Sequence, residues 1–268
     1  MGSGIAQAAA QNGFTTLLFD VDTAVLDKAQ TAIDANLQAL AAKQKISAAD
    51  AAAIFQRLHF VSNINKCVAD IVIEAIVEKT AAKISLFNQL AAINHQDCIF
   101  ASNTSSLSIS VIQQGIVYPQ RVAGMHFFNP PTIMKLVEVV KGTATSDSVV
   151  QAIYNLCIAL NKTPVVCSDA PGFIVNRVAR HYYLEAMKMV EQGIATMEEV
   201  DALMEAAGFK MGPFKLMDLI GMDINLAVSQ SMYAAFDKAE RFKPSPLQAD
   251  KVSKGELGRK TGRGFYQY

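Results

Sequence analysis

The sequence predicts two domains of different class: an α/β domain over residues 1–168 and an all-α domain over residues 169–268. Three observations carry this. First, short apolar runs of strand length recur through the first part, at residues 15–19, 58–61, 71–75, 98–101, 122–125, 136–140 and 163–167, and helical segments join most of them. Second, no such run is found between Pro171 and Gln230, where apolar residues instead follow helical spacing over 173–192, 197–207, 213–220 and 223–236. Third, the change falls at Ser168-Asp169-Ala170-Pro171-Gly172, a cluster of turn-forming residues.

Bulk composition narrows the partners. At 268 residues and 51% hydrophobic, the chain can bury a sizeable core in each domain. Twenty-four basic residues balance 24 acidic ones, which disfavours nucleic acid or an anionic membrane as a partner. No run approaches the roughly 18 apolar residues that a membrane span requires, and the first residues lack the basic start of a signal peptide. The four cysteines, Cys67, Cys98, Cys157 and Cys167, have neither metal-binding nor redox spacing. They read as reduced core residues of a cytoplasmic protein with no metal site.

From the N-terminus, Gly2 and Gly4 open a small-residue helix that ends at Asn12-Gly13, and residues 15–19 form a strand closed by Asp20. A glycine-led helix, a strand and then an acid make the back half of a dinucleotide-binding βαβ unit. The glycines let backbone approach a pyrophosphate at the helix N-terminus, and the acid accepts from ribose hydroxyls. A small-residue helix packed on a sheet fits the same residues. Further on, 23–43 and 47–57 read as helices, the second capped by Ser47, and Lys43-Gln44-Lys45 makes a basic corner between them. That corner suits a solvated turn or a phosphate-rich substrate.

The strand at 71–75 carries Glu74, and Glu78 is expected in the first turn of the next helix, where an acid suits the helix dipole. Ser102-Asn103-Thr104-Ser105-Ser106 follows the strand at 98–101. Strand-end loops of open α/β sheets bind ligands, and small polar residues there supply hydroxyl and amide donors. A helix starting at Ser105 or Ser106 is the structural alternative.

The densest signal is Val122–Val140. His126 ends one apolar run, Asn129-Pro130-Pro131 turns the chain, and Glu138 sits inside Leu-Val-Glu-Val-Val. A carboxylate in such a run is costly unless paired, and the turn brings His126 within reach. A carboxylate beside an imidazole fixes its tautomer and stabilises its cation, as a general base requires. A purely structural His–Glu pair fits the pattern equally well. In the second part, methionines spread through the helices suit a helical core or a subunit interface.

Six motifs in order now carry a resemblance: Ser-Asn-Thr-Ser-Ser-Leu, His-Phe-Phe-Asn-Pro-Pro, Met-Lys-Leu-Val-Glu-Val-Val, Pro-Gly-Phe-Ile-Val-Asn-Arg, Met-Gly-Pro-Phe-Lys-Leu-Met-Asp and Lys-Thr-Gly-Arg-Gly-Phe-Tyr. Together they resemble the L-3-hydroxyacyl-CoA dehydrogenases, including bacterial 3-hydroxybutyryl-CoA dehydrogenases, over essentially the whole chain. The resemblance implies a Rossmann-type N-terminal domain that binds NAD and a helical C-terminal domain for substrate binding and homodimerisation. It implies oxidation of the 3-hydroxyl of an acyl-CoA to a ketone, as in fatty-acid β-oxidation and butanoate metabolism.

The resemblance also implies site residues. His126 matches the base, Glu138 the carboxylate that orients it, Ser105 the serine bonding the substrate oxygen, and Asn176 an asparagine serving the same region from the helical domain. Asp20 resembles the acid on the adenosine ribose, and Gly2 a residue of the phosphate loop. Ala75, Glu78, Lys83 and Asn103 resemble the lining of the nicotinamide side. The basic corner at Lys43 and Lys45, read above from the residues alone, is the candidate for the phosphates of such a substrate. An acid rather than an arginine at position 20 favours NAD over NADP.

The departure is at the front. The family's glycine pattern is present only from Met1-Gly2-Ser3-Gly4 onward, without the first strand and the first two loop glycines. The expectation is therefore a start that falls at an internal Met, leaving two strand edges open around an apolar groove. Two other readings stay open: a dehydrogenase of a non-CoA hydroxy acid, and a truncated, catalytically impaired CoA-binding or scaffold relative.

Overall fold

The computed structural model describes residues 1–268. The chain divides into two compact units, Met1–Asp169 and Ala170–Tyr268.

The first unit runs α1 (Gly2–Gln11), β1 (Thr16–Phe19), α2 (Thr23–Ala42), α3 (Ala48–Gln56), β2 (Leu58–Val61), β3 (Ile71–Glu74), α4 (Thr80–Ile93), β4 (Ile99–Ser102), α5 (Ile109–Gln113), β5 (Val122–Phe127), β6 (Leu136–Lys141), α6 (Asp147–Ala159) and β7 (Thr163–Ser168). Ser47 caps α3 through a capping box with Asp50, so the polar corner before it ends in a fixed helix start.

The strands form two sheets. β1 pairs with β2 in parallel, and the larger sheet has the order β3-β4-β5-β6-β7. Within it β3, β4 and β5 are parallel, β5 and β6 are antiparallel, and β7 runs parallel to β6. One edge each of β1 and β3 therefore carries no strand partner. The N-terminus of α1 lies between them: a Cβ built on Gly2 would stand 3.8 Å from Ala75 Cβ and 4.0 Å from Leu18 Cδ1.

The large sheet buries Ala101, Ala123, Met125, Val137 and Val139 against Val149, Ile153 and Cys157 of α6. α1, α2 and α3 enclose a second core around Ala10, Ile33, Leu37 and Ile54. Gly124 lets the β5–β6 hairpin close, because a Cβ there would lie 2.7 Å from Val140 Cβ, its cross-strand partner. Pro164 is tolerated in β7 because that strand is at the sheet edge.

Two helix starts differ from the sequence expectation. α4 begins at Thr80, so Glu78 lies in the preceding loop rather than in the first turn. α5 begins at Ile109, capped by Ser108, rather than at Ser105 or Ser106. Both differences have one cause: the amides of Ser105 and Ser106 donate to the Glu78 carboxylate, which holds the segment as a loop.

The second unit is helical: α7 (Val175–Glu191), α8 (Met197–Ala206), α9 (Pro213–Ile220), α10 (Met222–Ala235) and α11 (Pro246–Ser253). The last of these was not foreseen. Its core gathers Tyr183, Met187, Phe214, Met217, Met222 and Phe265. Asp218 is buried and fastens the folded-back C-terminal tail, accepting from Phe265 N, Tyr266 N and the Tyr268 hydroxyl at 2.9, 2.9 and 3.1 Å. No helix of the chain is long and apolar enough to cross a membrane.

Candidate active site

His126 and Glu138 stand directly opposite each other in the β5–β6 register. Their side chains are 7% and 1% exposed, and Nδ1 lies 2.7 Å from Oε2. A carboxylate only accepts, so Nδ1 carries the proton of this bond and Nε2 is left as the basic nitrogen. The loop between the strands is held from below. The Lys162 ammonium, buried at the start of β7, donates to the carbonyls of Pro131 and Met134.

β3, β4 and β5 run in parallel, so their C-terminal ends share one edge of the sheet. The Ser102–Ser106 segment thus leaves the sheet beside His126. Asn103 stitches the two together, its Oδ1 accepting from Phe127 N at 2.8 Å. Ser105 and Asn103 are both half-buried there.

Glu78 gathers this loop. Its Oε1 accepts from Thr104 Oγ1 at 2.5 Å, Ser105 N at 3.0 Å, and Ser106 N and Oγ at 3.3 and 3.2 Å. Burial pushes the Glu78 carboxyl up, but the Thr104 hydroxyl and the Lys83 charge outweigh it and hold the group below the usual carboxylate range. Lys83 is 1% exposed, and its ammonium lies 2.7 Å from Glu74 and 3.2 Å from Glu78. The resemblance implies a place for Lys83 on the nicotinamide side; in the fold its charge is shared between two carboxylates.

The remaining predicted residues are distributed as follows. Asp20 follows β1, half-buried, and its Oδ1 accepts from Asp22 N. Beyond the ends of β1 and β2 a cleft of about 380 Å³ is lined by Phe19, Val21, Ser62, Asn63, Ile64 and Leu86. An apolar slot next to an acid at a strand end fits an adenosine moiety, so the residues present suit a dinucleotide. Ala75 and Gly2 meet at the end of β3. Lys43 and Lys45 are exposed on the turn after α2, where Gln44 takes a positive φ. Asn176 lies in the first turn of α7, in the helical unit.

Sequence reasoning gave no role to Glu74 or to a recess of about 240 Å³ lined by Ser3, Gln7, Asn36, Asn129 and Thr132. The signal for Glu74 was present: an acid in an apolar strand, nine residues before a lysine. The recess joins three separate segments and left no local trace.

A buried imidazole–carboxylate pair at a strand end, in a unit suited to a dinucleotide, is an arrangement able to move a proton beside a hydride acceptor. The comparisons narrow this. Residues 1–170 match the model of the 3-hydroxyacyl-CoA dehydrogenase NAD-binding domain, and residues 172–268 match the C-terminal domain of the same family. The chain is 45% identical over 270 residues to a 3-hydroxyadipyl-CoA dehydrogenase of Escherichia coli, covering 100% of this chain and 57% of the relative. It superposes on a crystal structure of 3-hydroxybutyryl-CoA dehydrogenase from Escherichia coli with a TM-score of 0.96 at 45% identity, again over 100% and 57% of the two chains. The (S)-3-hydroxybutyryl-CoA dehydrogenase of Ralstonia eutropha gives a TM-score of 0.94 at 37% identity, over 100% and 95%. The chain therefore spans little more than half of the Escherichia coli relatives and nearly all of the Ralstonia one. It belongs to the 3-hydroxyacyl-CoA dehydrogenase family, and its first unit is that family's NAD-binding domain.

Proposed function

We propose that the chain oxidises the 3-hydroxyl of short-chain (S)-3-hydroxyacyl-CoA, such as 3-hydroxybutyryl-CoA, to the 3-ketone with NAD. The observation that carries this is the His126–Glu138 pair at the sheet edge where the Ser105 loop emerges. Asp20 and the cleft beyond β1 and β2 would hold the adenosine end, and Gly2 would admit close approach of the pyrophosphate. Bound NAD supplies the hydride acceptor.

The chain's own residues do the rest. His126 Nε2 takes the hydroxyl proton. Glu138 fixes the ring and stabilises the imidazolium that results, and the pair supplies roughly 10²–10⁴-fold. Ser105 donates to the substrate oxygen as its charge changes, and Asn176 is the candidate substrate-binding residue of the helical unit. Lys43 and Lys45 meet the CoA phosphates, which fits their exposure on a turn. Homodimerisation through the helical unit is supported by its exposed apolar side chains, among them Val178, Leu203 and Ile224. The balanced charge and free cysteines support a cytoplasmic setting.

The test is NADH consumption with acetoacetyl-CoA and, in parallel, with free acetoacetate. Turnover confined to the thioester is expected. Equal turnover of the free acid would overturn the CoA assignment, and none with either would overturn the dehydrogenase reading.

A further inference from the structure

Glu74 ends β3 with a carboxylate that is almost wholly buried and fully engaged. Its Oε1 accepts from Lys83 Nζ at 2.7 Å and from Ile76 N at 2.6 Å, and its Oε2 accepts from Ser102 Oγ at 2.7 Å. From this one group two arms reach the Ser105 loop. One passes through Lys83 to Glu78, whose other oxygen holds the amides of Ser105 and Ser106. The second passes through Ser102 Oγ, which accepts from Thr104 N at 3.3 Å.

The charges explain why the arrangement is sensitive. Two carboxylates share one ammonium, so one negative charge is left over, and it falls on Glu78, the more exposed of the two acids. With Glu74 ionised, Lys83 is held back against β3 and Glu78 keeps an oxygen for the loop. With a neutral amide in place of the Glu74 carboxylate, Glu78 becomes the sole counter-charge of a buried ammonium, which draws it away from the loop amides.

We propose that Glu74 is a positioning residue for Ser105: it sets the loop that presents the serine hydroxyl to the substrate oxygen, acting through Lys83–Glu78 and through Ser102. This rests on the reading of Ser105 given above.

The experiment compares Glu74→Gln, Ser105→Ala and the double variant, with Lys83→Met as a second route into the network. In the ligand-free protein, amide exchange at Ser105 and Ser106 should quicken at least tenfold in Glu74→Gln and in Lys83→Met, with the β5–β6 hairpin unchanged. In turnover of acetoacetyl-CoA, Glu74→Gln should lower kcat by about tenfold, the size of one charge-assisted hydrogen bond, with a smaller change in KM. Glu74→Asp, which keeps the charge, should recover part of the loss. The double variant should be no slower than Ser105→Ala, because the two residues act as one unit.

Unchanged exchange at Ser105 and Ser106, or losses that multiply in the double variant, would overturn the assignment. If Glu74→Gln does not fold, Lys83→Met carries the same comparison. A parent chain without turnover refutes the functional reading, while the exchange measurement still decides the role of Glu74.

Discussion

Replacing Glu138 by glutamine isolates the electrostatic part of the proposed catalytic pair. The side chain keeps its volume, so the sheet and the core around Val137 and Val139 keep their packing. The charge behind His126 disappears, and a neutral amide of the same size takes its place.

The size of the effect follows from the geometry. Nδ1 and Oε2 are 2.7 Å apart, and the carboxylate is 1% exposed, so solvent screens this pair little. The carboxylate matters most when the imidazole has taken the proton. At an effective dielectric near 20, unit charges about 4 Å apart attract by about 4 kcal/mol, which bounds the term from above. Hydrogen bonds to charged groups contribute about 1.5–3 kcal/mol net. At about 1.36 kcal/mol per tenfold, kcat should fall by roughly 10- to 150-fold. Glu138 is shielded behind the histidine, so KM for acetoacetyl-CoA and the Kd for NADH should stay within about twofold. The assay is steady-state NADH consumption, with thermal unfolding as the control for fold. A folded Glu138→Gln protein with kcat within about twofold of the parent would show that the carboxylate is a structural partner of the imidazole and nothing more.

Three further outcomes are expected. Gly258→Ala should destabilise the helical unit by about 2–4 kcal/mol, because the added Cβ would lie 2.2 Å from the Asp218 carbonyl oxygen at a φ of +92°; an unchanged Tm would refute this. Glu78 titrates below the usual carboxylate range in the folded chain, so its hold on the loop is complete above about pH 4.3, the unfolded value, and is lost only as pH falls through its lower folded value. Amide signals of Ser105 and Ser106 that shift already near pH 6 would contradict that sign. Burial pushes the Cys98, Cys157 and Cys167 thiols up to about 11, about 12 and about 11, and raises Cys67. A thiol at about 11 is roughly one part in a thousand thiolate at pH 8. All four should therefore label slowly when native and quickly in denaturant, and one fast thiol in the native protein would refute the burial.

What the sequence made legible was local. Each strand of the first unit is a short apolar run, and each helix has a periodic face or a capping residue next to it, so alternation and the change of class near Pro171 could be read directly. His126 and Glu138 were legible for a sharper reason. They lie 12 residues apart on either side of a proline turn, and an acid inside a valine run demands a partner, so the pair is a local object that became a cross-strand contact. The Ser105 segment was read as a loop, but a helix from Ser105 or Ser106 fitted the same residues, and α5 starts only at Ile109. Serines and threonines cap helices by preference, and nothing local announces that a carboxylate 26 to 28 residues away will take those amides first.

That ambiguity points to a wider distinction in how the site is built. The proposed catalytic pair rests on one hairpin, whose strands are buried almost throughout. The loop carrying Ser105 rests on β3, α4 and β4 together, where the Glu74, Lys83 and Ser102 side chains meet. A shift in the hairpin would disrupt close packing on both faces of these strands, so the imidazole is protected by the same energy that folds the sheet. The loop has no such protection: its geometry depends on a charge balance of two acids and one ammonium. Substitutions at buried ionisable residues far in sequence from Ser105 should therefore disturb substrate positioning before they disturb the His126–Glu138 bond, and this ordering separates the two halves of the site experimentally.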